Sequence, residues 1–344
     1  MKSLVLVKPG QTEVREITKP IPVQGEVLLR VSKVGICGGD LNGYRGTFAL
    51  QEYPNILGHE IGAVIEEVGP GVPSRWQSGM KVTVSPYQNC TKCVSCFKGR
   101  PNACVDNRTL GVRRPGAMTD YVAVPFEKLY SSETLSLTAL ALVEPLTVGF
   151  HAVHRGEVQH NDTVLVIGCG IVGMGVLACA VQRGAKVIAA DIDDIKLSIA
   201  TKAGAWNSVN TKKQDLHEAV KMLTDNCGVD VVIEAVGLPQ TYLAAVEIAA
   251  YTGRVVYIGY AKAPVSYETR LFVQKELTIR GSRNCVSQTD FPAVIKFLET
   301  GAFPINDVIT KTVGLTDAGN AISEWDKNPG AFMKIMVDID GQKL

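Results

Sequence analysis

The chain predicts an α/β fold in which a β-rich N-terminal domain precedes a doubly wound parallel sheet. Three features of the 344-residue sequence carry this expectation. Short alternating apolar segments fill residues 1 to about 150, a strand–glycine–helix–strand unit opens at Thr163, and strands then alternate with helices as far as Gly281. The length suits about two domains at ~150 residues each.

The N-terminal segments are SLVLV, EVLLRVSKVGI, GAVIEEVG, KVTVSPY and DYVAVP. Turn residues such as PG, QG and GPGV divide them, which is the pattern of short antiparallel strands in a barrel-like domain. After Pro145 the texture changes, and LTVGFHAVHRG reads as a helix.

The unit TVLVIGCGIVGMGVLACAVQRGAKVIAADIDDIK, Thr163 to Lys196, follows. Val164 to Ile167 has the length and β-branching of a buried parallel strand. Gly168, Gly170 and Gly173 stand in G-x-G-x-x-G spacing. Ile171 to Arg183 predicts a helix, with Gly184 at its C-cap, and Lys186 to Ala190 predicts a second strand ending on Asp191. In this order the elements suit a dinucleotide. The glycines allow a tight turn, close approach of the backbone to a pyrophosphate, and close packing of helix on strand. The helix N-terminus, from Ile171 and Val172, directs free N–H groups at phosphate. Asp191 accepts the ribose hydroxyls and repels a 2′-phosphate, which favours NAD over NADP. Lys196, Ala235 and Gly259 are further cofactor-side candidates, whereas Asp193 and Asp194 read as a solvated helix start with an N-cap.

Beyond this unit, strands are expected at Trp206 to Asn210, Val229 to Val236, Arg254 to Gly259 and Leu277 to Gly281. Helices are expected at Leu216 to Leu223 and Gln240 to Ala250. From about Cys285 the tail holds one helix in FPAVIKFLETG, another near Ala318 to Asp326, and a closing strand, KIMVDI. The parallel sheet already has its six strands by then, so the tail is expected to return to the first domain.

Composition narrows the function. Apolar residues make up 46% of the chain, and 35 basic against 34 acidic residues leave a net charge of +1. That balance argues against a nucleic-acid or membrane-surface partner. No apolar run reaches the ~18 residues of a membrane span, and MKSLVLVKPGQTE has neither the apolar length nor the cleavage site of a signal peptide, so a cytoplasmic protein with a small-molecule substrate is expected.

Nine cysteines in a reducing compartment are more often ligands or inert core residues than disulfides. Cys90, Cys93, Cys96 and Cys104 form C-x-x-C-x-x-C with a fourth cysteine after seven residues. Four thiolates on one loop suit a closed, structural zinc. An iron–sulfur cluster is the main rival, against which stand the long last gap and the missing proline after the fourth cysteine. A disulfide pair is the third reading. A sparser set joins Cys37 in VGICGGD, His59 and Glu60 in NILGHEIGAVIE, and Glu144 in LVEPLTVGFHAV. Each alone has an ordinary structural reading, but thiolate, imidazole and carboxylate together are the ligands of an open catalytic zinc.

With GHE, the four-cysteine loop, VEPLTVGFHAV, GCGIVG, GSRN and KIMV in this order, the whole chain resembles the zinc-dependent medium-chain dehydrogenases, within them the sorbitol and sugar-acid dehydrogenase branch. The resemblance implies a GroES-like catalytic domain from residue 1 to 149, completed by 286 to 344, with a Rossmann NAD-binding domain at 150 to 285 between. It implies catalytic zinc at Cys37, His59 and Glu60, with Glu144 either coordinating or holding the bound water, and assembly as a homodimer or homotetramer. Two positions depart from the family pattern. Gly39 stands where a Ser or Thr is usual, and Asn42 where a His is usual, so the hydroxyl proton relay is missing. For the substrate, Arg283 and Asn284 in GSRN match positions facing substrate, and Arg113, beside Arg114, is a further candidate for a carboxylate, because a guanidinium fork binds two oxygens. The expected reaction is therefore zinc- and NAD-dependent oxidation of a secondary hydroxyl in a hexonate such as L-gulonate or L-galactonate. A neutral polyol and L-threonine are the alternative substrates, and a non-enzymatic zinc and nucleotide binder is a different class altogether.

Overall fold

The computed structural model describes residues 1–342. Along the chain run β1 (Lys2–Lys8), β2 (Gln11–Glu16), β3 (Glu26–Ile36), β4 (Asn55–Ile56), β5 (Glu60–Val68), β6 (Lys81–Val84), β7 (Tyr121–Pro125) and β8 (Leu129–Ser131). Next come β9 (Thr163–Ile167), β10 (Lys186–Asp191), β11 (Asn207–Asn210), β12 (Val229–Glu234), β13 (Ala249–Tyr257) and β14 (Thr278–Gly281), and the tail adds β15 (Ile309–Gly314) and β16 (Lys334–Asp338).

Two compact units form. The first holds Met1–Glu144, Val286–Gly301 and the chain from Ile305, and the second holds Pro145–Cys285 with Ala302–Pro304. In the first, β15, β16, β3, β5, β6 and β8 lie side by side, β7 also pairs with β3, and a smaller sheet runs β2, β1, β4. The long strand β3 pairs with β5 over Val27–Gly35, with β7 at its start and with β16 at its end, so it is the spine of this unit. Leu29, Val31, Val34, Ile36, Ile61, Ile65, Val82, Val84, Ile335 and Val337 fill its core. Burying one such side chain contributes ~1.5–3 kcal/mol.

In the second unit the sheet order is β11, β10, β9, β12, β13, β14, and all neighbouring strands run parallel. The order reverses between β9 and β12, and in such sheets ligands lie at the carboxyl ends of the strands at that point. Leu165, Ile167, Ile188, Val232 and Val255 form its core.

Several boundaries differ from the expected ones for physical reasons. The helix expected after Pro145 spans Val143–Arg155; proline is tolerated in a first turn, where the N–H has no partner anyway. β12 stops at Glu234 rather than Val236, because the Glu234 carboxylate takes the N–H groups of Val236 and Gly237 out of the ladder. β15, parallel to β16, has no counterpart in the expected tail. No helix among the described residues is long and apolar enough to cross a membrane.

Candidate metal centre and dinucleotide site

Cys37 follows β3 and caps the helix Gly38–Tyr44. Its Sγ accepts the Gly39 N–H at 3.3 Å, and its own N–H donates to Asp40 Oδ2 at 2.9 Å. Antiparallel pairing sets Gly35 of β3 against Glu60 of β5. A Cβ at Gly35 would stand 1.8 Å from Glu60 Oε2, so the absent side chain makes room for the carboxylate. The ligand atoms of Cys37, His59 and Glu60 consequently lie within 4.8 Å of one another.

The surroundings are buried and strongly charged. Lys334 heads β16 and donates to both oxygens of Glu60, at 2.6 and 2.7 Å, and to the Ile36 carbonyl at 3.0 Å. Burial would favour neutral Lys334, but Glu60, Cys37 and Glu144 outweigh it and raise its pKa. Burial likewise opposes charge on His59, yet Asp40, Cys37 and Glu144 hold its pKa well above the ordinary value. Asp40 Oδ1 and His59 Nδ1, 3.9 Å apart, are buried without hydrogen-bond partners. Glu144 is buried and accepts the Tyr87 hydroxyl; burial raises its pKa, and the facing His59 lowers it. Acids and a thiol converging on one imidazole form a surplus of negative donors that a divalent cation neutralises. The donor set fits zinc.

Cys90, Cys93, Cys96 and Cys104 also bring their Sγ atoms within 4.8 Å. The Ser95 hydroxyl and the N–H groups of Val105 and Cys96 lower Cys93 to about 5, while burial pushes Cys104 up to about 11. A thiolate at Cys104 near neutral pH thus calls for a cation beside it. The loop's helix, Val94–Phe97, has no buried residue, and Val94, Phe97 and Val105 are 68%, 78% and 81% exposed. Apolar burial does not hold this loop together, and four converging thiols are the donor set that a structural zinc takes.

In the second unit the glycine turn leaves β9 at Gly168, whose φ of +96° suits glycine. A Cβ at Gly173 would fall 1.8 Å from the Gly168 carbonyl oxygen, whereas at Gly170 it would meet nothing within 4 Å, leaving the approach open. The helix Ile171–Gln182 starts there without a side-chain cap, so its first N–H groups remain available to phosphate. Asp191 ends β10 with its carboxylate set by three backbone donors: Cys169 at 2.7 Å, Ile192 at 2.7 Å and Asp193 at 3.0 Å. Asp193 is the N-cap of the next helix, which carries Lys196, and Asp194 bonds Asn210 and Lys213. Ala235 and Gly259 follow β12 and β13 at the same carboxyl edge.

The sequence comparisons fall on the same two units. Residues 23–134 match the alcohol dehydrogenase GroES-like domain and residues 172–300 the zinc-binding dehydrogenase domain. Bacillus subtilis sorbitol dehydrogenase is 30% identical over 98% of this chain and 97% of its own. Escherichia coli L-galactonate-5-dehydrogenase is 29% identical over 90% of this chain and 91% of its own. The short chain alcohol dehydrogenase RspB of E. coli CFT073, solved with NADH, superposes with a TM-score of 0.90 at 31% identity, covering 98% and 99% of the two chains. The chain belongs to the zinc-dependent medium-chain dehydrogenases. It is an oxidoreductase of the zinc-type polyol and sugar dehydrogenase kind.

Against this family, Gly39 has room for the usual hydroxyl. A Cβ there would lie 3.7 Å from Cys37 Sγ and 4.0 Å from His59 Cε1, in ordinary contact. Arg113 pairs with Asp106 at 2.7 Å and Glu52 at 3.5 Å. Arg283 and Asn284 follow β14, both half-buried. Asp40, Tyr87 and Lys334 were given no role from sequence. The capping-box spacing of Asp40 from Cys37 and the lone lysine heading an apolar strand were the available signals, and Tyr87 had none.

Proposed function

We propose that the chain is a zinc- and NAD-dependent dehydrogenase that oxidises a secondary hydroxyl of a sugar acid, such as L-gulonate or L-galactonate, to the ketone. The observation that carries the metal-dependent reading is the buried convergence of Cys37, His59 and Glu60, with Glu144 beside them. When bound, zinc supplies Lewis acidity to the substrate hydroxyl and NAD a hydride acceptor. The chain supplies placement and proton handling. Cys37 and His59 are the soft and borderline donors; Lys334 orients Glu60, and Tyr87 orients Glu144. With no hydroxyl at Gly39 and no imidazole at Asn42, the proton leaves by water, Glu60 or Glu144. Burial raises the pKa of Glu144, which suits proton acceptance closer to neutrality. The four-cysteine zinc is structural. At the glycine turn, Asp191 selects NAD by repelling a 2′-phosphate. Assembly as a homodimer or homotetramer is the family's expectation, which light scattering tests.

The sugar-acid reading rests on Arg283, a guanidinium in the GSRN segment, and on the likeness to L-galactonate-5-dehydrogenase. A charge-assisted contact adds ~1.5–3 kcal/mol, roughly ten- to a hundredfold in discrimination. Following NADH absorbance over hexonates, polyols and threonine should show the best hexonate ahead of its matched polyol by about that factor. Arg283→Ala should erase most of the difference. The neutralised Arg113 favours the second reading, a neutral polyol, and equal efficiency with sorbitol would establish it.

A further inference from the structure

Glu234 ends β12 and is 0% exposed. Its Oε1 accepts three hydrogen bonds: from the N–H of Val236 at 2.8 Å, the N–H of Gly237 at 2.7 Å and the Thr241 hydroxyl at 2.7 Å. Its main-chain oxygen accepts Ile258 N–H at 2.9 Å and Gly259 N–H at 3.3 Å. The carboxylate thus ties the loop after β12 through Oε1 and abuts Gly259, after β13, with Oε2, while the main-chain oxygen holds the β13 loop. Its Oε2 is buried without a hydrogen-bond partner and lies 2.7 Å from where a Cβ on Gly259 would stand.

A buried carboxylate with an unmatched oxygen costs stability, which the three donors to the other oxygen offset only in part. The parallel ladder does not need the side chain, since β12 and β13 pair through their main chains. What the carboxylate does is stop β12 and draw Ala235–Gly237 against Gly259; a Cβ at Gly259 would fall 2.3 Å from Gly237 N. The same loop borders the glycine turn. Ala235 N–H donates to the Ile167 carbonyl at 2.9 Å, and a Cβ at Gly168 would meet Val236 Cγ2 at 2.6 Å. All of this lies at the carboxyl edge where the strand order reverses.

We infer that Glu234 is a positioning residue for the nicotinamide half of the cofactor. By holding the loops after β12 and β13 together, it presets the backbone groups that receive a flat ring bearing an amide, while the adenosine half depends on Asp191 and the glycine turn. The inference rests on the dinucleotide reading proposed above.

Titrating wild type, Glu234→Gln and Thr241→Val with NADH and with ADP-ribose separates the two. ADP-ribose carries the adenosine and pyrophosphate without the nicotinamide. Glu234→Gln keeps an oxygen for the three donors but puts an amide against Gly259. It should weaken NADH by about tenfold or more, leave ADP-ribose within about twofold, and keep the melting temperature within a few degrees. Thr241→Val, which leaves the carboxylate in place, should weaken NADH about two- to fivefold with the same ADP-ribose control. Equal weakening of both ligands, or none in either variant, would overturn the role of Glu234. A wild-type protein that binds neither ligand would overturn the dinucleotide reading and this inference with it.

Discussion

Lys334 and Glu60 form an ion pair with 1% and 0% of their side chains exposed. Desolvation of two ions consumes most of their attraction, so such a pair adds little net stability while each partner depends on the other. In metal-free protein Lys334→Met should cost ~3–5 kcal/mol in urea unfolding, because it strands Glu60 as an unmatched buried charge. A loss below ~1 kcal/mol would mean that Glu60 reaches solvent or another partner. The same residue shows what a chain of letters hides. KIMV reads as an apolar strand with a charged start, and its partner stands 274 residues earlier in sequence. Cys37, His59 and Glu60 were recognisable because a thiolate in a glycine turn and a His–Glu pair are unusual locally. The partners of Arg113 are not legible in sequence, because the carboxylates it pairs with, on Asp106 and Glu52, come from its own loop and from a distant one.

The four-cysteine loop stands or falls as a unit, having no core of its own. Structural zinc binding in small peptides is worth ~10–16 kcal/mol, so Cys104→Ser should lower the melting temperature and the yield of folded protein and halve the zinc content. Full stability and metal content in that variant would refute a structural zinc. At the end of β16, Asp338 faces Lys33 across the strands at 2.5 Å and accepts the Gly341 N–H at 3.0 Å. Burial alone would raise Asp338, but these two donors hold its carboxyl below the usual range. Its contribution is therefore present above the ordinary carboxylate pKa and is lost as pH falls through the lower folded value. Asp338→Asn should cost ~1 kcal/mol near neutral pH and progressively less as the pH falls through the folded value, which chemical denaturation at a series of pH values checks. The parallel strands were legible to within about two residues, because strands covered on both faces appear as continuous apolar runs, except that β13 begins at Ala249 rather than Arg254, where its exposed YT reads as a turn. β15 was not, since its ITKTVG lies half-exposed at a sheet edge.

The two units have separate cores, and their chemistry is divided accordingly: the metal donors lie in the first and the glycine turn with Asp191 in the second. Cys37→Ala should abolish turnover while leaving the NADH dissociation constant within about threefold of wild type, as fluorescence titration would show. Loss of NADH binding together with turnover would indicate that the cysteine supports the fold. Function at the level of reaction type was written locally. The glycine spacing, Asp191 after the second strand and the clustered cysteines each lie within one turn, loop or β-α-β unit, where chain geometry converts spacing directly into position. Long-range folding alone brought Lys334 to Glu60, Tyr87 to Glu144 and Glu52 to Arg113. Such pairings arise where packed strands and loops meet in space, and no periodicity along the chain encodes which distant charge a buried group will face.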